Sequence, residues 1–328
     1  MGNDIHKVLY LSHAGEDVYD IIREQVPEGF DLVTLQRDDD AERLAKIAGV
    51  QVVICANTPL TRALIEAADK LELVHHQGVG YHDTLDVASL RRRGVPLALT
   101  PEGTTVAVAE HAVMLMIAAL RRVAYADSEL RQGRWHVNSL RPVSRELAGR
   151  LVGYVGMGRI GQAVAERLKP FGVRGVYADP VPLAGSRARE LDVSRAGLDQ
   201  LVPTAEVLTL HAPLTPETRH LIDAAAIARM IPGVVIVNTA RGGLIRESDL
   251  VAALKTGQVA AAGLDVFEKE PPSPDNPLWA LPNVVVTPHI SAGTRDTLGT
   301  KMRAVFDNLQ RFYRGEPLRN AVDWSAER

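Results

Sequence analysis

Gly156, Gly158 and Gly161 close the segment Leu151-Val-Gly-Tyr-Val-Gly-Met-Gly-Arg-Ile-Gly161, and Asp179 follows 18 residues after the last of them. An apolar stretch runs into the glycines, a helical stretch, Gln162 to Pro170, leaves them, and Val176-Tyr-Ala178 delivers the acid. Each position has a mechanical reason. Gly156 makes the tight turn, Gly158 lets backbone approach a pyrophosphate, and Gly161 lets helix and strand pack closely. The first N–H groups of the helix and the positive end of its dipole suit phosphate. An acid at the end of the next strand accepts hydrogen bonds from ribose hydroxyls and repels a 2′-phosphate. The expected ligand is therefore a dinucleotide, NAD in preference to NADP. A glycine-rich loop with no ligand is the plainer alternative, and the spaced acid argues against it.

Three further segments each end an apolar strand with polar residues: Val237-Asn-Thr-Ala-Arg-Gly-Gly243, Gly263-Leu-Asp-Val-Phe-Glu-Lys-Glu-Pro-Pro272 and Val286-Thr-Pro-His-Ile-Ser-Ala-Gly293. They supply Arg241, Glu270 and His289 at the carboxyl ends of strands, where open α/β sheets bind ligands. Oxidising a hydroxy acid needs a base for the hydroxyl proton, a cation for the carboxylate and a hydride acceptor. An imidazole ordinarily titrates near neutrality, so His289 suits the base. Glu270 would hold the ring and stabilise its charged form. Arg241 would grip a carboxylate through two parallel hydrogen bonds. Taken singly, each has a structural reading: a strand-end arginine, a loop glutamate, a core histidine.

The elements that must position these groups alternate between strand and helix almost throughout, the pattern of an α/β protein. Strands are expected at Lys7–Leu11, Phe30–Leu35, Val50–Ile54, Leu71–His75 and Pro96–Leu99, with helices such as Asp39–Ile47 and Leu60–Ala68 between them. A long helix, Thr105 to Arg122, precedes a second unit with strands at Gly153–Val155, Val176–Ala178, Glu206–Leu210, Val234–Val237, Gly263–Val266 and Val284–Thr287. The last helix, Thr294 to Tyr313, is amphipathic and is expected to cross back to the first unit to bury its apolar face.

At 328 residues the chain has room for two domains, and 46% hydrophobic with 23% charged residues describes an ordinary globular protein. A net charge of −3 provides no basic footprint for nucleic acid, and Arg91-Arg-Arg93 reads as a solvated helix end. Cys55 is the only cysteine, so it forms no internal disulfide and is expected in the core. No signal-peptide pattern opens the sequence; Met1-Gly2 starts like a myristoylation site, but His6 stands where Ser or Thr is needed. The apolar helix from Val106 to Leu120 carries Glu110 and His111 and reads as too short for a bilayer. No membrane partner and a cytoplasmic location are the expectation.

The fingerprint and these segments together resemble the D-isomer-specific 2-hydroxyacid dehydrogenase family. The likeness runs through His76-Gln-Gly-Val-Gly80, Val108-Ala-Glu-His111, Glu146-Leu-Ala-Gly149, Gly156–Gly161, His211-Ala-Pro-Leu-Thr-Pro-Glu-Thr218, Asn238-Thr-Ala-Arg-Gly242, Gly263-Leu-Asp-Val-Phe267 and Thr287-Pro-His289. It implies that Arg241, Glu270 and His289 are catalytic. It places Gly156, Gly158, Arg159, Ile160, Gly161 and Asp179 on the adenosine and pyrophosphate half of NAD, and Ala212, Thr218, Thr239, Ala240 and Asp265 on the ribose and nicotinamide side. It gives Gly78, Val79 and Gly80 backbone contacts to the substrate carboxylate, with Arg241 as the second anchor. The implied architecture is two Rossmann-like parallel-sheet domains. Residues 1–101 with 292–328 form a flavodoxin-like substrate domain, and 102–291 form the NAD-binding domain, through which members pair as homodimers.

One departure stands beside the carboxylate loop: Gly80-Tyr-His-Asp-Thr-Leu-Asp86 carries one residue more than the family pattern, Tyr81 or His82. These two are expected to tune which substrate side chain fits. His75, His76 and His82 lie close in sequence without a Cys or carboxylate at ligand spacing, so no metal is expected. The activity implied is interconversion of a small D-2-hydroxy acid and its 2-oxo acid, with glyoxylate, hydroxypyruvate or 3-phosphoglycerate as typical substrates. The alternative is an NAD-sensing, non-catalytic protein of the co-repressor type. Formate oxidation is disfavoured, since formate enzymes of the superfamily place Gln where this chain has Glu270.

Overall fold

The computed structural model describes residues 5–56, 58–82 and 84–324; Met1-Gly2 and Asp83 of the motifs above lie outside them. The chain divides into two compact units, Met1–Thr104 with Gly293–Arg328, and Thr105–Ala292.

The first unit runs β1 (His6–Tyr10), α1 (Glu16–Arg23), β2 (Phe30–Val33), α2 (Asp40–Ile47), β3 (Val52–Cys55), α3 (Arg62–Ala67), β4 (Leu73–His76), α4 (Val87–Arg93) and β5 (Leu97–Leu99). Its five strands are parallel in the order β2-β1-β3-β4-β5, a flavodoxin-like order. β3 and β4 are buried along their whole length; β3 accordingly reads as an unbroken apolar run, while β4 ends in the buried His75 and His76. Side-chain caps set the helix starts: Asp39 accepts from the N–H of Glu42 and Thr61 from that of Leu64. Cys55 is buried in this core.

The second unit opens with α5 (Thr104–Arg121), α6 (Val123–Arg131) and α7 (Val137–Leu140). It continues β6 (Leu151–Val155), α8 (Arg159–Leu168), β7 (Arg174–Ala178), α9 (Gly185–Leu191), β8 (Val193–Arg195), α10 (Leu198–Leu201), β9 (Val207–Leu210), α11 (Ala224–Ala228), β10 (Val234–Asn238), α12 (Glu247–Thr256), β11 (Val259–Leu264) and β12 (Val284–Val286). Seven parallel strands lie in the order β12-β11-β10-β9-β6-β7-β8. The order reverses between β6 and β9, and the crevice at such a switch point is where α/β sheets take ligands.

α5 has 18 residues, the length expected for the helix but more than its stretch Val106–Leu120 that read as too short for a bilayer, and by length and composition alone it could cross a membrane. Its Ala109, Ala112, Leu115, Met116 and Ala119 instead fill the core against β6 and β9–β11, and Gly263 leaves room for the backbone of Leu115. The final helix, α13 (Arg295–Tyr313), starts at a Thr294 side-chain cap and belongs to the first unit. Its Met302, Val305, Phe306 and Leu309 cover one face of the five-stranded sheet at Val8, Tyr10, Val52, Ile54 and Leu73.

Candidate active site

The loops that follow β6 and β9 touch at the switch point. Gly156 has φ +92°, and a Cβ there would lie 2.7 Å from the carbonyl of His211 and 2.8 Å from the amide of Ala212. A Cβ on Gly161 would collide with the carbonyl oxygen of Gly156, so α8 could not pack so near the turn. Over Gly158 the space is open, with nothing within 4 Å of a Cβ. Gly158 is also the N-cap of α8 and has no side chain to satisfy the first N–H groups, which Arg159 and Ile160 begin. Asp179 holds the turn from the end of β7: Oδ2 accepts from the N–H of Met157 at 2.7 Å and Oδ1 from Val181 at 2.8 Å. At the end of β10 the buried Thr239 hydroxyl has no hydrogen-bond partner among the described residues. Beside it the Ala240 N–H is held by Asn238 at 3.0 Å. Thr218 stiffens the loop after Ala212, accepting from Thr215 N–H and donating to the Pro213 carbonyl, both at 2.7 Å. An open glycine turn, unsatisfied helix N–H groups and an orphaned buried hydroxyl fit a dinucleotide.

Arg241, Glu270 and His289 come together in the loops after β10, β11 and β12. Nδ1 of His289 lies 2.6 Å from Oε2 of Glu270, and Oε1 of Glu270 accepts from the N–H of Phe267 at 2.9 Å. Burial raises the Glu270 carboxyl, but the His289 contact, the Phe267 N–H and the charge of Arg241 outweigh it, leaving the pKa below the usual carboxylate range. An ionised carboxylate only accepts, so His289 carries its proton on Nδ1 and keeps Nε2 for a ligand. Arg241 precedes a 3₁₀ turn, Gly242–Leu244, and donates from Nη1 to the Ala240 carbonyl at 2.9 Å. A Cβ on Gly242 would overlap the carbonyl of Phe267; glycine there lets the arginine loop lie on the glutamate loop. A cavity of about 320 Å³ lies beside the pair, walled by Phe267, Trp279 and Val286.

Asp265 is the hidden support of this arrangement. Fully buried, it accepts from Thr287 Oγ1 (2.5 Å) and from the N–H groups of Ile290 (2.9 Å) and Ser291 (2.8 Å). Its backbone carbonyl takes the N–H of His289 at 2.8 Å. Thr287 has one hydroxyl proton and gives it to Asp265, so it accepts from Nε2–H of His111 at 2.9 Å. These bonds hold His289 at φ 54°, a conformation uncommon for a non-glycine residue and frequent at functional sites. His111 lay in a quoted motif without a role; its place against Thr287 is visible only in three dimensions.

In the first unit, Gly78-Val79-Gly80 leaves the carboxyl end of β4. The N–H groups of Gly78 and Val79 have no acceptor among the described residues. Thr100, unmarked in the sequence, clamps this loop. Its N–H donates to the carbonyls of His76 (3.0 Å) and Gly78 (3.2 Å), and its hydroxyl to that of His76 at 3.0 Å. The hydroxyl therefore accepts from Nδ1–H of His75 at 3.1 Å, and His75 Nε2 accepts from Nδ2 of Asn308 at 3.0 Å. Burial lowers the pKa of His75 to about 3, so this ring stays neutral.

One expectation needs correction. Tyr81 does not offer itself to a substrate: it is 5% exposed and packs with Leu60 and Leu85 in the core, its carbonyl accepting from Thr84 and Leu85. Only its neighbour His82, stacked on the Tyr81 ring at 4.2 Å, is exposed. Asp179 has a cation near it, though not on its own turn. Arg195, on the unanticipated edge strand β8, donates to the carbonyls of Asp179 (2.9 Å) and Pro180 (3.0 Å). Among the described residues no group of three His, Cys, Asp or Glu side chains could hold a metal.

Residues 113–291 match the family described as D-isomer specific 2-hydroxyacid dehydrogenase, NAD binding domain. The chain is 36% identical over 317 residues to the D-3-phosphoglycerate dehydrogenase of Archaeoglobus fulgidus, covering 97% of this chain and 59% of that one. It is 40% identical over 267 residues to the glyoxylate reductase of Korarchaeum cryptofilum, covering 81% and 80% of the two. Among solved structures it is similar to the NADPH-dependent glyoxylate/hydroxypyruvate reductase of Sinorhizobium meliloti, with TM-score 0.83, 32% identity and coverage of 98% and 99%. The chain thus spans under two thirds of the phosphoglycerate dehydrogenase and nearly all of the reductase of known structure. It belongs to the D-isomer specific 2-hydroxyacid dehydrogenase family, and its second unit is that family's NAD-binding domain.

Proposed function

We propose that the protein interconverts a small D-2-hydroxy acid and its 2-oxo acid with NAD(H), as a glyoxylate- or hydroxypyruvate-reductase-like or phosphoglycerate-dehydrogenase-like oxidoreductase. The observation that carries this reading is the His289–Glu270 pair at 2.6 Å, with Arg241 close enough for its charge to act on the carboxylate. When bound, the dinucleotide supplies the hydride donor or acceptor. His289 Nε2 takes the hydroxyl proton in oxidation and returns it to the carbonyl oxygen in reduction, while Glu270 holds the ring and stabilises its cationic form. Arg241 grips the substrate carboxylate and fixes the carbonyl. By the resemblance to the family, the Gly78-Val79-Gly80 loop belongs to the part that takes the substrate carboxylate, and residues 1–101 with 292–328 serve as the substrate domain. A homodimer is the expected assembly: Trp135 is 77% exposed, and Val123, Leu130, Val137 and Val143 add apolar surface along α6, α7 and the loop after them.

Steady-state turnover with NADH across a panel of glyoxylate, hydroxypyruvate, pyruvate and 3-phosphohydroxypyruvate tests the activity. Turnover of at least one, abolished by His289→Ala, is the expected result. Tight NADH binding with no turnover of any 2-oxo acid would hand the chain to a sensing role.

A further inference from the structure

A cavity of about 580 Å³ opens at the end of the seven-stranded sheet where β10, β11 and β12 begin, opposite the loops that carry Arg241, Glu270 and His289. Its polar lining is Arg122, Arg145, Lys255, Thr256 and Asn283, and among the described residues it includes no carboxylate. Nη2 of Arg122 donates to the Ala260 carbonyl at 2.8 Å, and Nη1 of Arg145 to that of Gly233 at 2.6 Å. Nδ2 of Asn283 joins the same floor, donating to the carbonyls of Leu254 (3.0 Å) and Ala260 (3.2 Å). Each guanidinium has five N–H groups and gives one of them to protein here.

The arrangement is unfavourable as it stands. Half-buried Arg122 is pushed below the usual arginine range, first by burial and then by the charge of Arg145, with no acid to oppose either. Its backbone adopts φ 56°, in the left-handed region that suits glycine. Gly233 has φ +83°, and a Cβ there would sit 2.7 Å from Nη2 of Arg145, so the chain keeps this position bare for the guanidinium. The carbonyls of Ala260 and Gly233 explain one bond from each arginine. They do not explain two guanidinium groups and an ammonium sharing one cavity without an acid, in a protein of net charge −3.

We infer that this cavity binds a phosphoryl oxyanion, free phosphate or the phosphate group of a metabolite, gripped by Arg122 and Arg145 with Lys255 at its mouth. Guanidinium forks match phosphate oxygens in pairs, and the exposed lysine adds a point charge. The inference is independent of the substrate proposed above.

The test uses the full chain saturated with NADH, titrated with inorganic phosphate against potassium chloride at equal ionic strength, followed by calorimetry and by Tm. The parent should show saturable binding and a rising Tm. Arg145→Gln and Lys255→Gln should each weaken phosphate about 10- to 100-fold, the worth of a charged hydrogen bond, without changing kcat/KM for the 2-oxo acid. Arg241→Lys should keep the response. Tighter binding of glycerol 3-phosphate than of phosphate supports a metabolite ligand, and equal binding supports free phosphate. Absence of saturable binding in the parent, its persistence in both cavity variants, or its loss in Arg241→Lys overturns the inference. Should Arg145→Gln fail to fold, Lys255→Gln decides alone, since that side chain is exposed.

Discussion

Replacing Glu270 by Gln changes one oxygen to an amide and nothing in volume, yet the geometry allows no neutral outcome. The carboxylate accepts two N–H groups, from His289 at 2.6 Å and from Phe267 at 2.9 Å. A glutamine has one oxygen for the two donors. If it serves His289, the Phe267 N–H faces an NH₂ group; if it serves Phe267, the NH₂ turns on His289 and forces the imidazole proton to Nε2. Either way the cationic ring loses a charge-assisted bond worth about 1.5–3 kcal/mol. At 1.36 kcal/mol per pH unit, the alkaline limb of kcat/KM for 2-oxo acid reduction should move down by about one to two units. Hydroxy-acid oxidation, which needs an unprotonated Nε2, should fall about 10- to 100-fold at neutral pH, by the same 1.5–3 kcal/mol. The acid side of stability responds with the opposite sign. The folded pKa of Glu270 is depressed, so the parent has this stability above the unfolded value and loses it as pH falls through the folded one. Glutamine removes that dependence. Initial rates over pH in both directions, with Tm over acid pH, make the measurement. An alkaline limb that stays in place would be fatal to the role given to Glu270.

Asp179→Ala should narrow the preference for NADH over NADPH in kcat/KM by about tenfold or more, the worth of one charged hydrogen bond. It should also weaken NADH binding, because Met157 loses its acceptor; a parent that uses NADPH equally well refutes the reading. Arg241→Lys should lower kcat/KM about 10- to 100-fold through both KM and kcat, since a point charge cannot reproduce the fork; a normal KM would place the carboxylate elsewhere. Thr100→Val leaves the buried Nδ1–H of His75 without an acceptor, at about 1–3 kcal/mol of stability. It should raise KM for the 2-oxo acid more than it lowers kcat, with NADH affinity unchanged and Thr100→Ser restoring both; a Tm loss with an unchanged KM removes Thr100 from the positioning of the loop.

What the sequence made legible follows from what burial does to patterning. Central parallel strands such as β3 and β10 are apolar on both faces and stand out as runs, while β8, three residues with two exposed, gives no such signal. The strand β11 starts four residues before its expected position because Val259-Ala-Ala-Ala lacks β-branched weight. Helix α8 begins at Arg159 rather than Gln162, immediately after the glycine that caps it. Arg241, Glu270 and His289 were visible because polar residues that end apolar strands are conspicuous. The His75–Thr100–Asn308 chain was not, since it joins residues 233 positions apart. Tyr81 was misread because loop length carries no information about which of its residues turns inward.

The return of α13 to the first unit has a consequence for the order in which the molecule is made. Residues 105–292 are continuous and hold their own core, so they have everything needed to collapse while the ribosome is still at work. The earlier-made sheet must wait. Until residues 295–313 emerge, Val8, Tyr10, Val52, Ile54 and Leu73 lack the cover of Met302, Val305, Phe306 and Leu309 and present an apolar face to the cell. A ribosome-stalled chain ending before Gly293 should therefore capture NADH yet recruit a holdase through its oldest segment, and release it once the final helix is added.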